Sequence, residues 1–143
     1  MILWTEQFAT GIERLDEQHR TWILNINHLE ALLTTTNPTR AECEFLIHLV
    51  DFLEAYPETH FTLEEQCMES YRCPAQAQNQ QAHASYRRIF HNYRLQSARE
   101  GFNVELHRKL HASASSWIQD HILNIDTQLR PCVKKSGGDR PEA

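Results

Sequence analysis

The stretch LDEQHRTWILNINHLEALL, residues 15–33, decides the fold. Leu15, His19, Trp22, Ile26, Leu29 and Leu33 follow one another at alternating intervals of four and three. An α-helix turns once every 3.6 residues, so these six share one face, whereas a strand would alternate every second residue. That face is apolar except at His19. Asp16 is expected to cap the start of the helix, and Thr34-Thr35-Thr36-Asn37-Pro38 to end it.

The same period recurs three times. Leu46, Val50, Leu53, His60, Glu64 and Cys67 lie on one stripe once position 57 is counted, with Thr39 as the expected N-cap. Position 57 is proline, which lacks a backbone donor and is expected to bend or interrupt this helix. After Pro74, the residues Asn79, His83, Tyr86, Phe90 and Tyr93 form a third stripe. Glu100-Gly101-Phe102-Asn103 reads as a turn. A fourth helix then carries Leu110, Ala114, Trp117, His121 and Ile125 inward and fades before Pro131. Four helices with short connections favour antiparallel neighbours. The expected fold is therefore all-α: an up-down-up-down antiparallel four-helix bundle. Residues 1–14 form an N-terminal arm packed by Trp4 and Phe8. Residues 1–130 make one domain, and PCVKKSGGDRPEA (131–143) has the composition of a flexible C-terminal tail or linker.

Composition removes several classes of function. At 143 residues the chain suits one domain with a real core. Its net charge is −5, and no Lys/Arg cluster offers a surface for nucleic acid or anionic lipid. No run approaches the ~20 apolar residues of a membrane span. The N-terminus has no basic region and too short an apolar run for a signal peptide. The four cysteines (43, 67, 73 and 132) are irregularly spaced and form no CxxC. They read as reduced thiols of a cytoplasmic protein.

Four histidines and two carboxylates interrupt the inward stripes: His19, His60, Glu64, His83, His121 and Asp126. Buried imidazoles and carboxylates are costly unless paired, hydrogen-bonded or metal-bound. His60 and Glu64, four apart, lie one above the other on their helix. His121 and Asp126 are five apart, roughly 140° on an ideal helix, so both reach one centre only near the helix end. A single histidine on an apolar stripe is more often hydrogen-bonded core, and His28, His48, His91, His107 and His111 are read as solvent-facing or packed. Trp22, Phe61 and Trp117 are read as core. The six stand apart because every helix contributes and always inward. Imidazole with carboxylate suits iron, manganese or zinc, and two carboxylates able to bridge fit two metals better than one. HFTLE lacks the second histidine of a zincin, which argues against metalloprotease chemistry.

The runs GIERLDEQH (11–19) and HFTLEE (60–65), then His83, then WIQDHILNID (117–126), together resemble the bacterial hemerythrins. The resemblance extends from Trp4 to about Asp126. It implies a non-haem di-iron centre that binds O2, with carboxylates matching Glu64 and Asp126 bridging two irons beside an oxo or hydroxo group. Residues matching His19 and His60 would serve one iron, and those matching His83 and His121 the other. One position departs from the pattern: where the family carries HxxxH, this chain reads NQQAH (79–83), with Asn79 in place of the first histidine. An amide oxygen is a poorer iron ligand than imidazole, so one iron would have a position open to water or another ligand. Gln76 and Gln80 are close enough in sequence to compete with Asn79 for that position.

An open position would favour oxidation and hence a sensor of O2 or redox state, with NO or small anions as further ligands. The resemblance also admits an input module whose tail leads to a C-terminal effector, such as a diguanylate cyclase or chemoreceptor. A stand-alone O2 carrier or storage protein is the alternative. A di-iron oxidase or peroxidase ranks third, because di-iron oxygenases typically surround the metal with four carboxylates and this site offers two.

Overall fold

The computed structural model describes residues 1–137. Helix α1 spans Glu13–Leu33, α2 Arg40–Ser70, α3 Gln76–Glu100, α4 Val104–Asn124 and α5 Leu129–Lys135. Among the described residues there is no strand. The main packing contacts run α1 to α2, α2 to α3, α3 to α4 and α4 back to α1. This closed ring of sequential neighbours is the up-down-up-down bundle. The inward stripes of the first three helices are buried at every position named from the sequence; on α4, Trp117 is half-buried.

Helix boundaries follow local chemistry, with departures from expectation at Asp16, at Pro57 and at the 130/131 boundary. Thr39 caps α2 in a capping box: its hydroxyl accepts from the Glu42 amide and the Glu42 carboxylate accepts from the Thr39 amide. Asn103 caps α4 by accepting from the amides of Glu105 and Leu106. Asp16, in contrast, lies inside the first turn of α1, whose N-cap position is Ile12. Its Oδ1 accepts from the Thr10 amide at 2.8 Å and the Thr10 hydroxyl at 2.9 Å, tying down the chain before the helix.

Helix α2 runs unbroken through Pro57. Proline at 57 deprives the Leu53 carbonyl of its i+4 donor, and the buried Tyr86 hydroxyl of α3 donates to that carbonyl at 2.6 Å. The backbone group freed by the proline is therefore satisfied from the neighbouring helix.

Beyond α4 the chain makes a single 3-10 turn, Asp126–Gln128, and then α5. Pro131 lies in the first turn of α5, where a missing N–H costs no intrahelical bond. The sequence-based boundary at 130/131 thus falls inside a helix, and residues 138–143 of the expected tail lie outside the described residues. Arg130 binds the N-terminal arm by donating to the backbone carbonyls of Glu6, Gln7 and Ala9. Trp4 stacks on Phe8 in that arm, as its sequence suggested. Gly11, at φ +89, comes close to Val133 and Arg130 in a backbone conformation that strains any side chain.

Two apolar clusters fill the interior. The larger contains Trp22, Phe61, Tyr86, Phe90 and Ile122, and the smaller contains Leu15, Leu63, Cys67, Cys73, Ile125 and Leu129. On α1, His19 lies between Leu15 of the smaller cluster and Trp22 of the larger. No described helix is long and apolar enough to cross a membrane.

Candidate metal centre

His19 lies near the start of α1, His60 and Glu64 near the end of α2, His83 near the start of α3 and His121 near the end of α4. Alternating starts and ends come to one level in an antiparallel bundle, which is why four distant segments meet. All six residues named from the sequence are buried, at 2 % exposure or less.

They form two groups that share Glu64. His19, His60, Glu64 and Asp126 offer ligand atoms within 4.8 Å of one another, and Glu64, His83 and His121 do the same. Glu64 Oε2 lies 2.8 Å from His83 Nε2, 3.5 Å from His121 Nε2 and 3.7 Å from His60 Nε2. Asp126 spans the groups in another way: its Oδ2 is 3.0 Å from His19 Nε2 and its Oδ1 is 2.8 Å from His121 Nε2. The break after Asn124 makes this possible. Ile125 ends α4 and Asp126 opens the 3-10 turn, so the angular separation expected of a continuous helix does not apply.

The donor set could hold a shared cation: Glu64 Oε2 is within hydrogen-bond reach of His83 Nε2 and His121 Nε2, but much of the remaining set is unpaired. Both Asp126 oxygens, His19 Nε2, His60 Nε2 and Glu64 Oε1 are buried without a hydrogen-bond partner. Asp126 and His19 are close enough to bond, yet their atoms are not aligned to do so. Side chains aimed at a common centre have this geometry, and unsatisfied buried groups are otherwise costly.

Electrostatics sharpen the picture for the metal-free chain. Burial penalises the Asp126 anion, but His121 and His19 outweigh it and hold the carboxyl far below the usual range. Burial likewise opposes charge on His121, and Asp126 and Glu64 overcome it, pushing the imidazole up to about 10. Burial and neighbouring His19 push His60 well below 6.5, leaving the neutral ring that ligates metals. Glu64 stays low because His60, His121 and His83 prevail over burial and Asp126.

Two residues that sequence reasoning missed set the ring orientations. The His60 Nδ1–H donates to Gln18 Oε1 at 2.8 Å, which turns Nε2 toward the centre. The His83 Nδ1–H donates to Glu65 Oε1 at 2.9 Å; a carboxylate only accepts, so Nδ1 carries a proton. Each neighbours a predicted ligand in sequence, within EQH and LEE, but neighbouring helix positions point about 100° apart and so escape an inward-stripe search. Aromatic faces complete the cage: Phe61 stacks on His83 at 3.9 Å and Trp117 on His121 at 4.3 Å.

Asn79 is fully buried one turn before His83, and neither its amide oxygen nor its nitrogen has a partner. Gln80 is exposed and Gln76 half-buried, so Asn79 is the amide of the three that faces the interior. Of the remaining histidines, His28, His48 and His91 are exposed. His107 is buried away from the centre, donating to the Asn103 carbonyl at 2.8 Å and accepting from the Tyr93 hydroxyl at 2.9 Å.

The family described as "Hemerythrin HHE cation binding domain" matches residues 10–133. A bacteriohemerythrin of Stenotrophomonas maltophilia is 30% identical over 135 residues, which cover 94% of this chain and 82% of the relative. A bacteriohemerythrin of Pseudomonas aeruginosa is 29% identical over 136 residues, covering 94% and 83%. No solved structure matches the chain.

Proposed function

The chain belongs to the hemerythrin family, whose members bind O2 at non-haem iron, and from that premise we propose that it holds a di-iron centre and works as a sensor of O2 or redox state. The observation that carries the reading is the pair of buried groups sharing Glu64, with Asp126 directed at both. His19 and His60 would hold one iron, His83 and His121 the other, and the two carboxylates would bridge. The centre, when loaded, supplies reversible binding of O2. Gln18 and Glu65 keep the imidazoles oriented with Nε2 inward, while Phe61, Trp22 and Trp117 exclude water around them.

Asn79 favours sensing over carriage. Its unpartnered amide occupies the inward position preceding His83, and as a poorer ligand than imidazole it would leave a place on that iron for water or a small anion. The second support is the place of Asp126 in the chain. Asp126 opens the turn that leads to α5, and Leu129, three residues on, is fully buried in the smaller apolar cluster. A shift of the Asp126 carboxylate would therefore move Leu129 and α5 with it, and through α5 any effector it contacts. A stand-alone carrier is the second reading, and it requires the Asn79 position to be filled.

Iron content and the optical spectrum of the purified chain test the centre, recorded after anaerobic reduction and again after O2 exposure. Two irons per chain and a reversible oxy spectrum are expected; one zinc, or no metal, would refute it. Hydrogen exchange at residues 122–131, compared between the reduced and oxidised chain, tests the sensor. Equal protection in both states, with conversion visible in the spectrum, would favour storage.

A further inference from the structure

Behind the metal centre, the turn between α2 and α3 meets α5, and a cysteine sits on each side. Cys73 is buried in the turn and Cys132 is half-buried on α5. Their sulfurs share one acceptor: Cys73 Sγ is 3.6 Å and Cys132 Sγ 3.4 Å from the carbonyl oxygen of Gln128. One backbone oxygen thus holds two thiols side by side, although 58 residues separate them in sequence. Cys132 also lines a surface cleft of about 650 Å³ together with Arg72, Lys135 and Ser136, which Cys73 does not reach.

We propose that Cys73 and Cys132 are a redox-active dithiol, which hydrogen peroxide closes into a disulfide that staples α5 to the α2–α3 turn. The two thiols have different roles. Cys132 is the one open to the cleft, so its sulfur is the one that meets the oxidant. Its sulfur attacks one peroxide oxygen and the O–O bond breaks. The departing hydroxide takes up the thiol proton as water, leaving Cys132 as a sulfenic acid. The Cys73 thiol then attacks that sulfur, the S–O bond breaks and a second water leaves. The two thiols lose two electrons and peroxide becomes two waters. Burial pushes the Cys73 thiol up to about 11; the Ala75 amide opposes this and the adjoining Cys132 thiol adds to it. A thiol held protonated is a poor nucleophile, so Cys73 is unsuited to the first attack and reacts only once the adjoining Cys132 has been oxidised.

The staple would fix the segment that begins at Asp126 and so record oxidant exposure on a slower scale than ligand binding at the centre. It is independent of the proposed function, because neither sulfur belongs to the metal groups. The test uses the full iron-loaded chain, reduced, then treated with graded hydrogen peroxide, alkylated and mapped by mass spectrometry without reduction. A peptide linking Cys73 to Cys132 is expected, with Cys43 and Cys67 alkylated and the link reversed by dithiothreitol. In Cys73→Ser, dimedone should label Cys132; in Cys132→Ser, Cys73 should stay alkylatable over the same peroxide range. Four thiols surviving at peroxide concentrations that oxidise an exposed model dithiol would overturn the proposal, and so would a disulfide made through Cys43 or Cys67.

Discussion

Replacing Glu65 with alanine removes the acceptor of the His83 Nδ1–H and nothing that could touch metal itself. The carboxylate sits 2.9 Å from Nδ1 and is about one-third exposed, so the helix keeps its core contacts and the chain should fold. Phe61, stacked at 3.9 Å, still fixes the plane of the imidazole. What is lost is the partner that holds the proton on Nδ1 and so presents the Nε2 lone pair inward. Partners of this kind are worth ~10–100-fold in metal affinity, about 1.4–2.7 kcal/mol. Gln18→Ala should act in the same way on His60, through its 2.8 Å bond in the other group. The assay is chelator competition with the iron-loaded chains, following iron retained per chain. Each variant is expected to release iron at ~10–100-fold lower chelator than the parent, while circular dichroism stays unchanged. If the same chelator concentration strips all three proteins, the two residues do not orient ligands and the reasoning fails.

Further predictions concern the ligands, the helix through Pro57, the open position and pH. Glu64→Ala removes the residue common to both groups, so iron content should fall at both, and retention of two irons on metal analysis would contradict the shared-ligand geometry. Tyr86→Phe leaves the Leu53 carbonyl buried and unpaired, and should lower unfolding free energy by about 1–3 kcal/mol in urea titration. Asn79→His should slow autoxidation of the oxy form, measured in air beside the parent; equal rates would place Asn79 away from the ligand position. For the metal-free chain, His60 is held neutral when folded but takes a proton near 6.5 when unfolded. The unfolded state then binds more protons below that pH, so stability should fall as pH drops through 6.5, by at most ~1.4 kcal/mol per pH unit from this group. The raised His121 works in the opposite sense: its contribution is full below 6.5 and is lost as pH rises through about 10. A denaturation midpoint flat from pH 7 to 5 would count against the buried neutral His60.

Much of this protein is legible along the chain. Helix periodicity is a local property, so the four stripes and their buried faces could be read from spacing alone; His19, His60, Glu64, His83 and His121 are buried on those stripes, and Asp126 is buried just beyond the fourth. The expense of burying imidazole and carboxylate made those six conspicuous without any coordinates. What depends on contacts between distant segments could not be read that way. The pairing of Gln18 with His60 and of Glu65 with His83 depends on the axial register of neighbouring helices. The continuity of α2 through Pro57 depends on a tyrosine 29 residues later, and the aim of Asp126 on a break in α4 that places its two oxygens toward separate histidines. Cys73 and Cys132 meet only because α5 folds back on the α2–α3 turn. Periodicity says which face of a helix turns inward; it carries no information on which residue of another helix stands opposite, and that is set by packing the whole bundle at once.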